Sequence, residues 1–283
     1  MRSDITSILE ATLTDNSEPK IKSWLDEKLE LILTQKSARQ LYLTYSLIGT
    51  KFPRGLIIEN LRNPINSFLV QQKPSLIQVA RIFLLSKVLI EEESFFMPKI
   101  QNLIQVADTG ELETFLKYLV LLPNSENYHF AAVEALRTNI SSVFEAIAMN
   151  NPYPAEYFTD QEWNQMYLKA AFMQLDLGKI MAVDKRANKQ LARIISDYAH
   201  ERWAASRNID PLFWRPTSNF LEGKLISDVN RLLNSDNENE VKAGALVCYN
   251  SDLETGKKIL NDFPDDLVEK VRSNVISWEN LKN

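Results

Sequence analysis

Helical periodicity is the feature of this sequence that most limits its possible folds. Apolar residues recur at spacings of three and four from end to end, as on one face of a helix. Sustained alternation of apolar and polar residues, which is typical of strands, is hard to find. The pattern therefore predicts an all-α fold. The clearest stripes are Ile21, Trp24, Leu25, Leu29 and Ile32, then Trp163, Met166, Tyr167 and Ala170, then Leu191, Ile194, Ile195 and Tyr198.

Composition excludes several classes of protein. The formal net charge of -5 makes a nucleic-acid-binding protein unfavourable. Cys248 is the single cysteine, so no disulfide can form within the protein, and its apolar neighbours predict a buried, inert thiol. The glycines do not have the spacing of a phosphate-binding loop.

Charged residues interrupt every long apolar run. Lys87 and Lys117 break the two most apolar stretches, which are shorter than the ~20 residues of a membrane span. Asp4 and Glu10 interrupt the N-terminal segment, where a secretory signal would need an apolar core. We therefore predict no transmembrane segment and a cytoplasmic protein, for which any contact with the inner membrane would be peripheral or through a partner.

The C-terminal part has the pattern of short helical hairpins. Residues 219–234, 238–250, 253–260 and 265–279 read as amphipathic helices joined by tight turns. The segment from Asp236 to Leu246 resembles the acidic start and small-residue centre of a HEAT-like helix. We predict an irregular α-solenoid of stacked helical hairpins, HEAT-like at the C-terminus. Its regions are 1–122, 123–215 and 216–283, within one continuous array.

Aromatic, charged and amide residues are unusually dense between Arg137 and Trp214. Arg202 falls on the apolar stripe of its own helix, where a charge needs a partner. One interpretation is a guanidinium that binds an anionic ligand, and the other is an arginine paired with a carboxylate of a neighbouring helix. Arg137 has Glu134 one turn earlier as a candidate partner.

Two further features of this region allow alternative interpretations. The loop from Asn150 to Phe158 either presents its aromatic side chains to a ligand or folds them inward as a rigid connector. Glu126-x-x-His129 and Asp197-x-x-His200 have the spacing found in di-iron bundles. With two histidines in the sequence, a metal site would need both, and a hydrogen-bonded core His129 is the simpler interpretation. We therefore predict no metal and no cofactor.

The dense region resembles a known protein family. The segments Arg137-Thr-Asn, Phe144-Glu-Ala-Ile-Ala, Asn151-Pro-Tyr-Pro, Trp163-Asn-Gln-Met and Tyr198-Ala-His-Glu-Arg-Trp-Ala-Ala occur in the same order as in the EboA family. The resemblance runs from about Tyr128 to Trp214. It implies a cytoplasmic component of a gene set that makes secondary-metabolite precursors and moves them towards the periplasm. Its implied partners are other proteins of the gene cluster, among them a membrane prenyltransferase-like protein, and a small-molecule metabolite.

The sequence thus predicts a non-catalytic adaptor or metabolite-binding protein that helps transfer a precursor towards the membrane or periplasm. The alternative is an enzyme of the same pathway that uses Asp197, His200 and Glu201 with Arg137 or Arg202. Both hypotheses draw on one set of polar and aromatic side chains. The candidate ligand- or partner-binding residues are Arg137, Asn139, Glu145, Tyr153, Tyr157, Lys169, Asp197, His200, Glu201, Arg202 and Arg207.

Overall fold

A computed structural model describes residues 2–58 and 67–282. All regular secondary structure in these residues is helical, as the periodicity predicts. The α-helices are α1 (Arg2–Asn16), α2 (Pro19–Gln35), α3 (Ala38–Lys51), α4 (Ser67–Gln72), α5 (Leu76–Val106), α6 (Thr109–Tyr118), α7 (His129–Ala135), α8 (Ser141–Ala148), α9 (Tyr153–Tyr157), α10 (Asp160–Phe172), α11 (Val183–Arg186), α12 (Lys189–Ala204), α13 (Lys224–Leu233), α14 (Glu238–Tyr249), α15 (Glu254–Asn261) and α16 (Asp265–Arg272).

Short 3₁₀ segments connect several helices, at Leu119–Leu121, Ser125–Tyr128, Leu177–Lys179 and Pro211–Phe220. The protein divides into two compact units, Met1–Ile147 and Ala148–Asn283. This boundary falls inside the predicted region 123–215. The limits of that region were set by sequence resemblance, which does not depend on how the residues pack. No helix within the described ranges is long and apolar enough to cross a membrane.

The first unit is built around the N-terminal half of α5. Ile82, Phe83, Leu84 and Leu85 are consecutive and all buried, so this helix is enclosed on every side. Helices α1, α2, α3 and α6 pack against it. Ser75 and Gln78 form a capping box that fixes where α5 begins. A backbone kink at Glu92 then separates the enclosed half from the C-terminal half.

The second unit is built around α14, which packs against α13, α15, α16 and the 3₁₀ segment Pro211–Phe220. Residues 243–248 are all buried. An added Cβ at Gly244 would lie 2.9 Å from Leu233 Cγ, so glycine allows α13 to approach α14 closely. Cys248 is buried as predicted, and burial raises the pKa of its thiol to about 12.

The four predicted C-terminal helices are present as α13 to α16, with boundaries displaced by a few residues. The largest displacements are at the end of α16, which ends at Arg272 and not near 279, and at the start of α13, which begins at Lys224 and not near 219. Gly223 has a φ of 53°, and the preceding 3₁₀ segment occupies the residues that the periodicity had included. The HEAT-like solenoid arrangement of these hairpins stays a prediction.

Side-chain caps fix where α3 and α10 begin. Ser37 caps α3 through a hydrogen bond from the Gln40 N–H group. At α10 the cap is Thr159, whose hydroxyl accepts from the Glu162 N–H group. Asp160 is the first helical residue of α10, where a carboxylate is stabilised by the helix dipole.

Candidate functional site

The predicted site residues are divided between the two compact units. Arg137, Asn139 and Glu145 lie in the first unit, and the others, from Tyr153 to Arg207, lie in the second. Their arrangement on a single face stays a prediction. The residues of each unit are therefore described by their own contacts.

The residues of the first unit lie at the surface. Arg137 is 71% exposed and forms the expected ion pair with Glu134 one turn earlier. Asn139 is exposed between α7 and α8. Glu145 is exposed on α8 and accepts a hydrogen bond from the Ser141 hydroxyl at 2.8 Å. These contacts are local and leave the outer surfaces of the side chains in solvent.

The proline-aromatic loop of the second unit folds its central tyrosine inward. Tyr153 is fully buried, and its ring lies 4.6 Å from the Tyr157 ring and 6.1 Å from the Phe158 ring, between centroids. Tyr153 is therefore not presented to a ligand, and Tyr157, which is half-buried, is the tyrosine that reaches the surface. Pro154 occupies the second position of α9, where no intrahelical N–H donor is needed.

Arg186 holds this loop in place, and no sequence argument singled it out. Its guanidinium donates to the carbonyls of Pro154, Ala155 and Phe158 at 3.1, 3.0 and 2.8 Å. It also pairs with Asp160 at 3.1 Å, and its side chain is 11% exposed. The Pro154 carbonyl also accepts from the Phe158 N–H group, and the carbonyls after it lie beyond the reach of the helix's own donors, so this guanidinium caps the C-terminal end of α9. The sequence gives no local signal for the contact, because 32 positions separate Arg186 from Pro154.

Among the described residues, Arg202 contacts a backbone carbonyl and no carboxylate. Its Nε and Nη2 atoms donate to the Asn208 carbonyl at 3.1 and 2.7 Å. Helix α12 ends at Ala204, and Ser206 at a φ of 53° turns the backbone towards the helix again. The guanidinium lies over the Tyr198 ring at 6.0 Å. Of the two interpretations of this half-buried residue, pairing with a carboxylate of a neighbouring helix is therefore not found among the described residues, and binding of an anionic ligand stays a prediction.

His200 is held by a buried carboxylate that the sequence analysis missed. Its Nε2 atom lies 2.8 Å from Asp228 Oδ1, and Asp228 Oδ2 accepts a hydrogen bond from the Ser196 hydroxyl at 2.6 Å. The Asp228 side chain is 2% exposed. Asp228 stands on the apolar stripe of α13, between Leu225 and Leu232. A charged residue on that apolar stripe is the sequence feature that points to Asp228.

The remaining charged residues of α12 are at the surface. Asp197 is exposed and lies 3.6 Å from Arg193 and 4.0 Å from Lys224. Glu201 is exposed one turn further along. Lys169 is half-buried on α10, and burial lowers the pKa of its ammonium group.

The largest of the described cavities in the second unit has a volume of about 540 Å³. Arg202 and Arg207 lie in its wall, with Lys282 and Asp210 paired at 2.6 Å. Arg207 is exposed and forms no ion pair with any residue in the described ranges. The Tyr198 and Phe213 rings, with centroids 5.2 Å apart, supply an aromatic surface. This cavity thus combines an excess of cationic groups with aromatic rings.

Two smaller cavities adjoin other faces of α12. One of about 450 Å³ contains Arg207, Trp203 and Arg231, whose guanidinium lies 4.1 Å from the Trp203 ring centroid. The other, of about 400 Å³, contains Asp197 and Lys224. Asp197 and Arg202 therefore line different cavities. The described residues contain no group of three or more His, Cys, Asp or Glu side chains that could hold a metal ion.

Comparison with known protein families gives a match over most of the sequence. Residues 5–218 match the family described as metabolite traffic protein EboA. The match is longer than the stretch from 128 to 214 that carries the sequence resemblance, and it includes most of the first unit. No curated protein and no solved structure matches the sequence. Because the family match covers well over half of the sequence, the protein belongs to the EboA family of metabolite traffic proteins.

Proposed function

We propose that this protein is a non-catalytic binding protein that holds an anionic, ring-bearing metabolite and helps to transfer it to a membrane-bound partner. The observation that carries the proposal is the 540 Å³ cavity beside α12. Its volume is within the range of small-molecule sites, which runs from about 300 to 1,000 Å³. The family description supports a role in metabolite traffic.

The chemistry of the cavity indicates the ligand class. Arg207 has a guanidinium without an ion-pair partner among the described residues, and Arg202 is anchored beside it through Asn208. A planar guanidinium binds carboxylate, phosphate or sulfonate groups in a directed way. Tyr198 and Phe213 offer ring faces and edges for stacking. The fixed Arg202 would position the ligand, and the free Arg207 would close on its anionic group.

An aromatic anion tests this site directly. Anilinonaphthalene sulfonate fluoresces when it leaves water, and we expect saturable binding of one molecule at the α12 cavity. Arg207→Ala should weaken that binding about tenfold, because one charge-assisted contact is lost. Arg272→Ala is the matched control, since Arg272 is also an exposed arginine at the end of a helix. Equal binding by both variants would contradict the proposed site.

A cellular test connects the site to the pathway. Arg207→Ala should leave the melting temperature almost unchanged, because Arg207 is exposed, and should abolish pathway output. Lys242→Ala and Lys258→Ala, in the C-terminal helices, should preserve that output. Loss of output in the two lysine variants, with normal output in Arg207→Ala, would place the working surface on the C-terminal helices.

An enzyme of the same pathway is the second candidate, and the His200–Asp228 pair is the observation in its favour. A buried carboxylate that orients a half-exposed imidazole is an arrangement used in general acid–base catalysis. His200→Gln separates the two functions, because glutamine retains a hydrogen-bonding group and cannot transfer protons at neutral pH. An enzyme would lose pathway output, whereas a binding protein would retain it.

A further inference from the structure

The first unit contains a cavity that the family description and the candidate residues leave unassigned. Its volume is about 380 Å³, and it lies between the C-terminal half of α5, α6, α7 and α8. Ile104, Leu112, Phe130, Ala131, Ala135 and Val143 form most of its apolar wall. A space of this size and lining is typical of a small-molecule site.

The polar groups of this cavity are almost all uncharged. Gln101, Asn102, Gln105 and Asn127 contribute amides, and Gln101 Nε2 donates to the Asn127 carbonyl at 3.0 Å. Glu134 is the one carboxylate among the lining residues, and its charge is paired with Arg137. The wall therefore offers no uncompensated charge to a ligand. This distinguishes it from the cavity beside α12, where cationic groups are in excess.

An exposed aromatic side chain gives the cavity a further feature of a binding site. Phe130 is 71% exposed although it is a large apolar residue, so its ring stands in solvent at the wall of the cavity. Tyr128 also lines the cavity, but its hydroxyl is enclosed by protein and is not accessible to a bound molecule. A bound apolar molecule that covered Phe130 would remove its ring from water, which is favourable.

We infer that this cavity binds an uncharged, mostly apolar small molecule. The site is separate from the proposed anion site, and it requires none of the residues on which that proposal rests. A protein with both sites could bind a neutral molecule and an anionic one. Burial of apolar surface would stabilise binding at the neutral site, and charge-assisted hydrogen bonds would stabilise binding at the anionic site.

N-phenylnaphthylamine is a suitable probe because it is neutral, aromatic and fluorescent in apolar surroundings. We expect the full-length protein to bind one molecule of it saturably. Ala131→Trp places a large ring in the cavity and should weaken binding by about tenfold or more, whereas Phe130→Ala removes one wall contact and should weaken it about fivefold. Phe172→Ala is the matched control, because Phe172 on α10 is 73% exposed and does not line this cavity.

The two probes separate this inference from the proposed function. Ala131→Trp should reduce N-phenylnaphthylamine binding and preserve anilinonaphthalene sulfonate binding, and Arg207→Ala should do the reverse. Phe130 is exposed, so Phe130→Ala tests the site even if Ala131→Trp disturbs folding. Absence of saturable N-phenylnaphthylamine binding would overturn the inference. It would also be overturned if Phe172→Ala weakened binding as much as Phe130→Ala.

Discussion

The core of the first unit and the helix ends of the second unit use arginine in different ways. In the first unit Arg81 is 6% exposed and pairs with Glu111, which is 4% exposed, at 3.5 Å. In the second unit Arg186 and Arg202 direct their donors mainly at backbone carbonyls near helix ends. The first arrangement buries two charges in the core, and the second ties loops to helices near the surface. Charge density along the sequence therefore does not indicate where charge is buried.

The enclosed pair in the first unit has several supporting contacts. Arg81 Nε donates to the Tyr45 carbonyl at 3.3 Å, and its guanidinium lies 5.2 Å from the Tyr45 ring centroid. Glu111 also accepts from the Asp108 N–H group at 3.2 Å, so one carboxylate serves both the ion pair and the cap of α6. An added Cβ at Gly49 would lie 3.1 Å from Arg81 Nη2, so glycine leaves room for the guanidinium. Removing either charge would leave the other desolvated.

The largest expected effect is therefore at Arg81. Arg81→Ala should lower the free energy of unfolding by about 3 to 5 kcal/mol, because Glu111 would remain buried without its partner. Urea denaturation followed by circular dichroism measures the change. The double variant Arg81→Met with Glu111→Gln removes both charges and keeps an acceptor for the α6 cap, so it should lose less than Arg81→Ala. A loss under about 1 kcal/mol for Arg81→Ala would remove the contrast between the units.

Arg186→Ala should have the next largest effect, a loss of about 2 to 3 kcal/mol. Three carbonyls would lose a charged donor, and hydrogen bonds to charged groups contribute about 1.5 to 3 kcal/mol each without being additive. Asp160→Ala is the control, because that carboxylate is 69% exposed and should change stability by less than about 1 kcal/mol. Equal losses in the two thermal melts would mean that the ion pair, and not the carbonyl contacts, holds the loop.

Arg202→Ala measures how much a partly exposed arginine contributes to stability. Two donors to a single carbonyl predict a loss of about 1 kcal/mol, smaller than the roughly 3 to 5 kcal/mol expected for a buried and paired arginine such as Arg81. Arg202→Lys should lose part of this, because an ammonium group cannot reproduce the two-donor contact with Asn208. A urea-denaturation loss above about 3 kcal/mol for Arg202→Ala would place this residue in the same class as Arg81.

The sequence predicted the helices better than the partners of their charged side chains. Period-3.6 stripes are local, and the stripe of Trp163, Met166, Tyr167 and Ala170 is buried throughout. Helix boundaries depend on competing local contacts, so α13 begins at Lys224 and not near 219, where the periodicity placed its start. The ion pair of Arg81 was not predicted. The strongly apolar run from Leu76 to Leu89 indicates an enclosed helix, but it does not indicate which distant carboxylate pairs with Arg81.

The candidate site residues stay a prediction, and the sequence did not give their contacts. Arg202 and Arg207 line one cavity, and they lie close together where α12 turns into the next segment. The role of Asp228 depends on α13 packing against α12, which pairs residues 28 positions apart in the sequence. The charge of Asp228 on an apolar stripe indicates that it needs a partner, but one sequence does not show which residue supplies it. The inward position of Tyr153 likewise depends on a distant residue, Arg186, which contacts the loop carbonyls.

Arg137→Ala should have the smallest effect of the series, a change of at most about 0.5 kcal/mol. The side chain is 71% exposed, and its pairing with Glu134 is an intrahelical contact at a spacing of three residues, a class that contributes about 0.2 to 0.5 kcal/mol. Raising the salt concentration should make the variant and the unchanged protein indistinguishable in thermal melts, because screening weakens exposed pairs. Such a result would assign this surface charge no large part in folding and leave Arg137 available to a partner. A loss of stability comparable with that of Arg186→Ala, persisting at high salt, would instead show that Arg137 is enclosed by contacts beyond its own helix. The distinction between the buried Arg81–Glu111 pair and the surface arginines would then fail.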